Sequence, residues 1–398
     1  MTGTPGFIGE RLMQAREARG LTAVSLAEMI GVRSANISNY ERKKQSPSAE
    51  VMERIARVLN QPQAFFLRPI TVASEGVWWR SMNAAAKGAR VRALARHSWL
   101  REIVAYLSEF VDFPDVNLPD FTPPEDIREI SMEDVEGIAL DCRRFWNVGM
   151  GPVADIVLLL ENNGIIVSRG ELAAEKLDAY SQHPKDSGHP LVFIGSDKAS
   201  AVRNRFDAAH ELGHLILHRN VDARRISGSA TFKMIEDQAH RFAAAFNLPA
   251  EEFANQLWAP TLDAFLAMKP HWRVAIGAMI KRCGQLGIVT DEQATRLWIN
   301  MNRRRWRTRE PLDDRIPLEQ PRLLRRSFEL LINEGIKSPE QIATDLALNL
   351  ADIESLACLQ EGYLSGRAPE VIAMPQLRRQ TRPKGTSGSV VYFPPKGD

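Results

Sequence analysis

RNRFDAAHELGHLILHRN, residues 203–220, is the stretch that decides the reading of this chain. Phe206, Ala209, Leu212, Leu215 and Ile216 recur at helical spacing, so the segment is expected to be a packed helix. Within it, His210-Glu211-Leu212-Gly213-His214 is an HExxH pattern. Residues four apart leave one face of a helix, so the two imidazoles can share a metal ion. Glu211 is turned by about 100° from His210, close enough to take a proton from water at such a metal. His218, four residues further on, reads as a partly exposed histidine at the helix end.

A catalytic zinc needs a third protein ligand and an open position. Downstream, a polar loop over 219–231 leads into a helix expected from Phe232 onward, FKMIEDQAHRFAAAFNLP. Glu236 stands 22 residues after His214, on an Ala-rich helix able to pack closely against the first. A His/His/Glu set would result, with Asp237, His240 and Asp222 as rivals. His240, one turn beyond Glu236, reads as a donor behind the ligands, an alternative ligand, or a stabiliser of a developing oxyanion. Upstream, apolar-periodic helices are expected at Val135–Trp146 and Val153–Asn162. Short strands follow at 164–168, 177–181 and 190–195. Helices mixed with a few strands in this order give an α+β, mostly helical fold.

The front of the chain reads differently. From Phe7 to Leu67 the periodicity is helical throughout. Leu26, Ala27, Ile30, Gly31, Val32 and Ile37 trace a short helix, a tight turn and a second short helix, the layout of a helix-turn-helix. Ala27 allows close approach and Gly31 permits a left-handed turn. Ser34 is the expected cap of the second helix. That helix exposes Arg33, Ser34, Asn36, Ser38 and Asn39, followed by Arg42, Lys43 and Lys44. Short polar side chains can read base edges, and the cations can neutralise phosphates.

Charge separates the same regions. The 398 residues carry a net charge of only +2. That near-neutral total excludes a wholly basic nucleic-acid coat and an acidic disordered chain. Residues 1–101 hold 16 Lys and Arg against 7 Asp and Glu, an excess of +9, whereas 102–398 hold 35 against 42. The front therefore expects an anionic partner. Three cysteines lie far apart with no CxxC, which excludes a Cys-rich zinc site and a disulfide scaffold and suits a reduced, cytoplasmic compartment. No apolar run approaches the length of a membrane span, and the N-terminus lacks a signal-peptide layout.

RLMQAREARGLTAVSLAEMIGVRSANISNYERKKQSPSAEVMERIARVLNQPQAFFL resembles the XRE/Cro-like DNA-binding family almost end to end. The resemblance implies a double-stranded DNA operator as partner and a homodimer reading two half-sites. LLLENNGIIV, LDAYSQ, RNRFDAAHELGHLILH and IEDQAHRFAAAFNLPAEEF resemble the ImmA/IrrE-type metallopeptidases, whose zinc geometry is similar to that of thermolysin-like zincins. The resemblance implies His210, His214 and Glu236 as ligands of Zn2+, with Mn2+ as an alternative metal, and Glu211 as the catalytic glutamate. It implies cleavage of a partner protein, typically a Cro-like repressor, in transcriptional control of a stress or mobile-element response. A regulator whose metal domain only senses is the alternative. Much of the family has Asn where this chain has His240. Tyr180, in the DAYS strand, is expected near the substrate as an oxyanion helper.

The expected divisions are 1–70 (helix-turn-helix), 71–126 (basic helical segment and a proline-rich linker), 127–260 (metallopeptidase-like), 261–375 (helical rear) and 376–398 (flexible tail). In the rear, Ala343 is followed by Leu346, Leu348 and Ile353 at the offsets that Ile30, Val32 and Ile37 keep from Ala27. IATDLALNLADIESL is thus expected to form a second helix-turn-helix-like pair. It lacks the turn glycine, and no Lys or Arg occurs between Ser338 and Ser365. An acidic copy should be repelled by phosphates, so a packing or protein-contact element, not a DNA reader, is expected.

Overall fold

The computed structural model describes residues 3–70, 77–79, 87–124, 126–172, 178–183, 188–197, 200–221 and 229–366. The expected tail, the rival ligand Asp222 and the side chains of Trp78, Trp79 and Arg80 lie outside the described residues.

The front forms α1 (Gly9–Ala18), α2 (Ala23–Ile30), α3 (Ser34–Glu41) and α4 (Ala49–Leu59). The Thr22 hydroxyl caps α2 by accepting from Ser25 N at 3.0 Å, and Gly31 closes it at φ 68°. Leu26, Ala27, Ile30 and Ile37 are buried between the helices. Ser34 is the first residue of α3 and not its cap; Arg33 holds the cap position and its side chain makes no capping bond. The long helix α5 (Lys87–Leu107) runs beneath this domain. Buried Arg11 on α1 and Glu102 on α5 bind bidentately at 2.8 and 3.0 Å.

Between α4 and α5 lies β1 (Val77–Trp79), a strand inside a stretch that carries no readable periodicity. Three residues are too few for alternation to show. The middle continues as α6 (Met132–Phe145), α7 (Ile156–Asn162), β2 (Ile166–Gly170), β3 (Ala179–Gln182), β4 (Leu191–Gly195), α8 (Ala201–Leu217) and α9 (Ser229–Asn247). The four strands pair in the order β1-β3-β4-β2. β3 is antiparallel to both of its neighbours, and β2 is parallel to β4. Because side chains alternate across a sheet, Val167, Val192 and Ile194 face a core shared with Ala208, Ala209 and Leu212 of α8. Ile166, Tyr180, Leu191 and Phe193 face the other way, into a core shared with Trp99 and Ile103 of α5. The proline-rich stretch before α6 carries neither helix nor strand over 111–124. It lies against the end of α7, where Asn117 N donates to Asn163 O at 3.1 Å.

After α10 (Ala250–Gln256), the rear consists of α11 (Leu262–Trp272), α12 (Ile276–Gln285), α13 (Asp291–Arg303), α14 (Leu323–Asn333), α15 (Pro339–Leu346) and α16 (Leu350–Leu356). In its described part it serves two cores. Helices α10 to α13 pack among themselves around Phe265, Trp272 and Ile280. Helices α14 to α16 join the core of the front domain and α5 through Phe328, Ile342 and Ile353. Ala347 takes φ 51° at the turn between α15 and α16, the place that Gly31 holds in front. Asp352 of α16 receives Arg19, the residue that caps the end of α1, through both carboxylate oxygens, at 2.8 and 2.6 Å. The Ser168 hydroxyl of β2 donates to Leu356 O at 2.6 Å. The acidic pair is thereby bonded to both the front domain and the sheet.

Candidate metal centre

α8 is buried along almost its whole length, between the sheet on one side and α9 on the other. Gly213 makes the close approach possible. A Cβ there would stand 3.2 Å from the Phe242 side chain of α9. Two helices so near can bring side chains from both into one cluster.

His210 and His214 of α8 and Glu236 of α9 form that cluster. The two Nε2 atoms are 3.0 Å apart. Glu236 Oε2 lies 3.5 Å from His210 Nε2, and Oε1 lies 3.4 Å from His214 Nε2. Both histidines are buried, and Glu236 retains 9% of its surface. Ligand atoms about 2.0–2.1 Å from a tetrahedral zinc stand about 3.3–3.4 Å from one another. The observed separations bracket that edge length. Two imidazole nitrogens and one carboxylate are also a donor set suited to zinc. The residues present therefore fit a divalent cation.

Glu211 is buried beside His210 on α8. His240, one turn beyond Glu236 on α9, stands with its ring centroid 4.4 Å from that of His210. Its Nδ1–H donates to Glu236 O at 2.6 Å. His240 also lines a cavity of about 340 Å3, together with Val202, Phe206, Asp207, Ala244 and Trp298. That volume is in the range of ligand-sized clefts. Asp237 does not join the cluster; it pairs with Lys233 at 2.5 Å.

Tyr180 is not at this site. It is wholly buried on the sheet face turned away from α8, stacked on Phe193 at 5.1 Å and edge-on to His97 at 5.4 Å. Burial raises its pKa far above the ordinary value. The strand is buried on both faces, so no polar alternation marks which way Tyr180 points.

Two residues behind the cluster escape a reading of the sequence. His218 is wholly buried, not exposed at the helix end. Its Nδ1 is 2.9 Å from His214 Nδ1, and its Nε2 is 3.1 Å from Gln238 Oε1. Burial, reinforced by His214 and opposed by the bond to Gln238, takes its pKa well below the usual histidine value. The only signal for His218 was its i+4 spacing from His214; Gln238 offered none.

The helix-turn-helix presents the opposite surface. Arg33, Ser34, Arg42, Lys43 and Lys44 are exposed, and Asn36, Ser38 and Asn39 are partly so. Lys43 Nζ pairs with Glu10 at 2.5 Å, which holds the Glu10 carboxyl below its ordinary pKa.

Residues 12–62 match the family described as Helix-turn-helix, and residues 160–283 match that described as IrrE N-terminal-like domain. Over 72 residues the chain is 35% identical to the HTH-type transcriptional regulator SutR of Escherichia coli (strain K12). The match covers 18% of this chain and 40% of the relative, so the chain spans less than half of that protein's length. No helix among the described residues is long and apolar enough to cross a membrane.

Proposed function

We propose that this chain, which joins an XRE-type helix-turn-helix domain to an ImmA/IrrE-type domain, is a cytoplasmic regulator that binds an operator and cleaves a peptide bond in a partner protein. The observation that carries the proposal is the meeting of His210, His214 and Glu236 beside Glu211 in one buried cluster. The three ligands would hold zinc, with Mn2+ the alternative, and leave one tetrahedral position for substrate or water. Zinc bound there supplies polarisation of the scissile carbonyl and lowers the pKa of water. Glu211 accepts the proton of the attacking water and later returns it to the leaving amine. His240 flanks the carbonyl oxygen. With Nδ1–H committed to Glu236 O, its Nε2 donates only in the imidazolium form. The cavity beside His240 receives a side chain of the substrate.

The substrate is a Cro-like repressor, in a stress or mobile-element response. The front domain supplies Arg33, Ser34, Asn36, Ser38 and Asn39 to base edges, and Arg42, Lys43 and Lys44 to phosphates. A homodimer reads the two half-sites. The exposure of α3 and the +9 charge of residues 1–101 support this half of the reading.

Co-expression with a Cro-like repressor tests the proposal. The wild type is expected to shorten the repressor and Glu211→Gln to leave it whole, both retaining zinc. An intact repressor with a zinc-loaded wild type favours the alternative, a domain that senses without turnover.

A further inference from the structure

The second ring nitrogen of His214 ends a chain of hydrogen bonds whose polarity is set at its far end. Gln238 turns its side-chain NH2 toward two backbone carbonyls, Ile127 O at 3.1 Å and Ile130 O at 2.9 Å. The reverse orientation would set an oxygen against two acceptors. Oε1 is therefore the atom facing His218 Nε2, at 3.1 Å. A carbonyl oxygen only accepts, so His218 Nε2 carries the hydrogen. A neutral imidazole with its hydrogen on Nε2 has its lone pair on Nδ1. That lone pair is 2.9 Å from His214 Nδ1, which must then carry a hydrogen. The lone pair of His214 is left on Nε2, the atom facing His210 Nε2 at 3.0 Å and Glu236 Oε1 at 3.4 Å.

We propose that Gln238 and His218 are positioning residues that set the tautomer and ring orientation of His214, presenting Nε2 to a divalent cation. The inference rests on reading the His210/His214/Glu236 cluster as a metal centre. A histidine ligand whose other nitrogen is held in this way loses less rotational freedom on binding and is a better donor. The relay begins at the backbone of Ile127 and Ile130, just after the proline-rich stretch. The ligand on α8 is therefore steered from a segment more than 80 residues upstream.

Zinc affinity and histidine tautomers test the proposal. Zinc binding by the full chain is measured in competition with a fluorescent chelator. His218→Phe and Gln238→Leu are expected to weaken it by about 10–100-fold. His218→Gln keeps the polarity of the chain, its carbonyl accepting from His214 and its amide donating to Gln238. It is expected to hold affinity within a few-fold. Nitrogen-15 spectra of the zinc-free wild type are expected to place the His214 hydrogen on Nδ1, a readout that needs no variant to fold. Wild-type affinity in His218→Phe, or a His214 hydrogen on Nε2, overturns the relay. A wild type that binds no zinc overturns the metal-centre reading instead, and the tautomer still tests the relay.

Discussion

The helix pairs α2–α3 and α8–α9 are both tight and both rely on a glycine, yet they present their polar side chains in opposite ways. In α2–α3 the apolar residues fill the seam, while Arg33, Arg42 and Lys44 stand in solvent. In α8–α9 the histidines and carboxylates are themselves in the seam, with His210 and Glu211 fully enclosed. A surface that meets a polyanion needs exposed cations that can displace the counterions condensed on that polyanion. A centre that moves a proton needs groups excluded from bulk water, where charge interactions are strong. A tight helix pair can thus turn its polar side chains outward, as α2–α3 does, or enclose them, as α8–α9 does.

The largest effect that tests this contrast lies in the enclosed pair. Glu211→Gln keeps the shape and removes the proposed base, so the proposed repressor cleavage should fall by about 10²–10⁴-fold, followed by gel or mass spectrometry. The two glycines come next. A side chain at Gly213 meets Phe242, so Gly213→Leu should cost about 1–3 kcal/mol by overpacking, seen as a lower urea midpoint. At Gly31 the space is open, the nearest contact being Arg54 at 3.9 Å, but φ is 68°. Gly31→Val should therefore cost about 1–2 kcal/mol from backbone strain, and Gly31→Asn less. Equal losses from Val and Asn would show that the turn itself is not the constraint. On the exposed pair, Arg42→Ala should weaken binding to a random duplex and reduce the salt slope by about 1, measured by anisotropy. Lys43→Ala should do less, because its ammonium is already shared with Glu10.

The parts legible in the sequence were those with repetition. The α8 motif lies on a strong helical periodicity, and the front pair has a glycine at its turn. The rear pair keeps the same apolar offsets even with Ala347 at the turn. Harder to read were facts that depend on what lies opposite. Tyr180 belongs to a strand buried on both faces, so the pattern carries no sign of its direction. His218 is a polar residue at a helix end, a position that is exposed unless another element covers it. Here Gln238 of α9 supplies the covering partner. The docking of α16 onto Arg19 joins residues 333 positions apart, and neither side chain has a local signal.

The most direct measurement of the central claim pairs wild type with Glu211→Gln, each co-expressed with a Cro-like repressor. Zinc content and the intact mass of the repressor are read from the same preparations. The account predicts about one zinc per chain in both and a shortened repressor only with the wild type. A repressor left whole by a zinc-loaded wild type, or cut equally by both proteins, would contradict it.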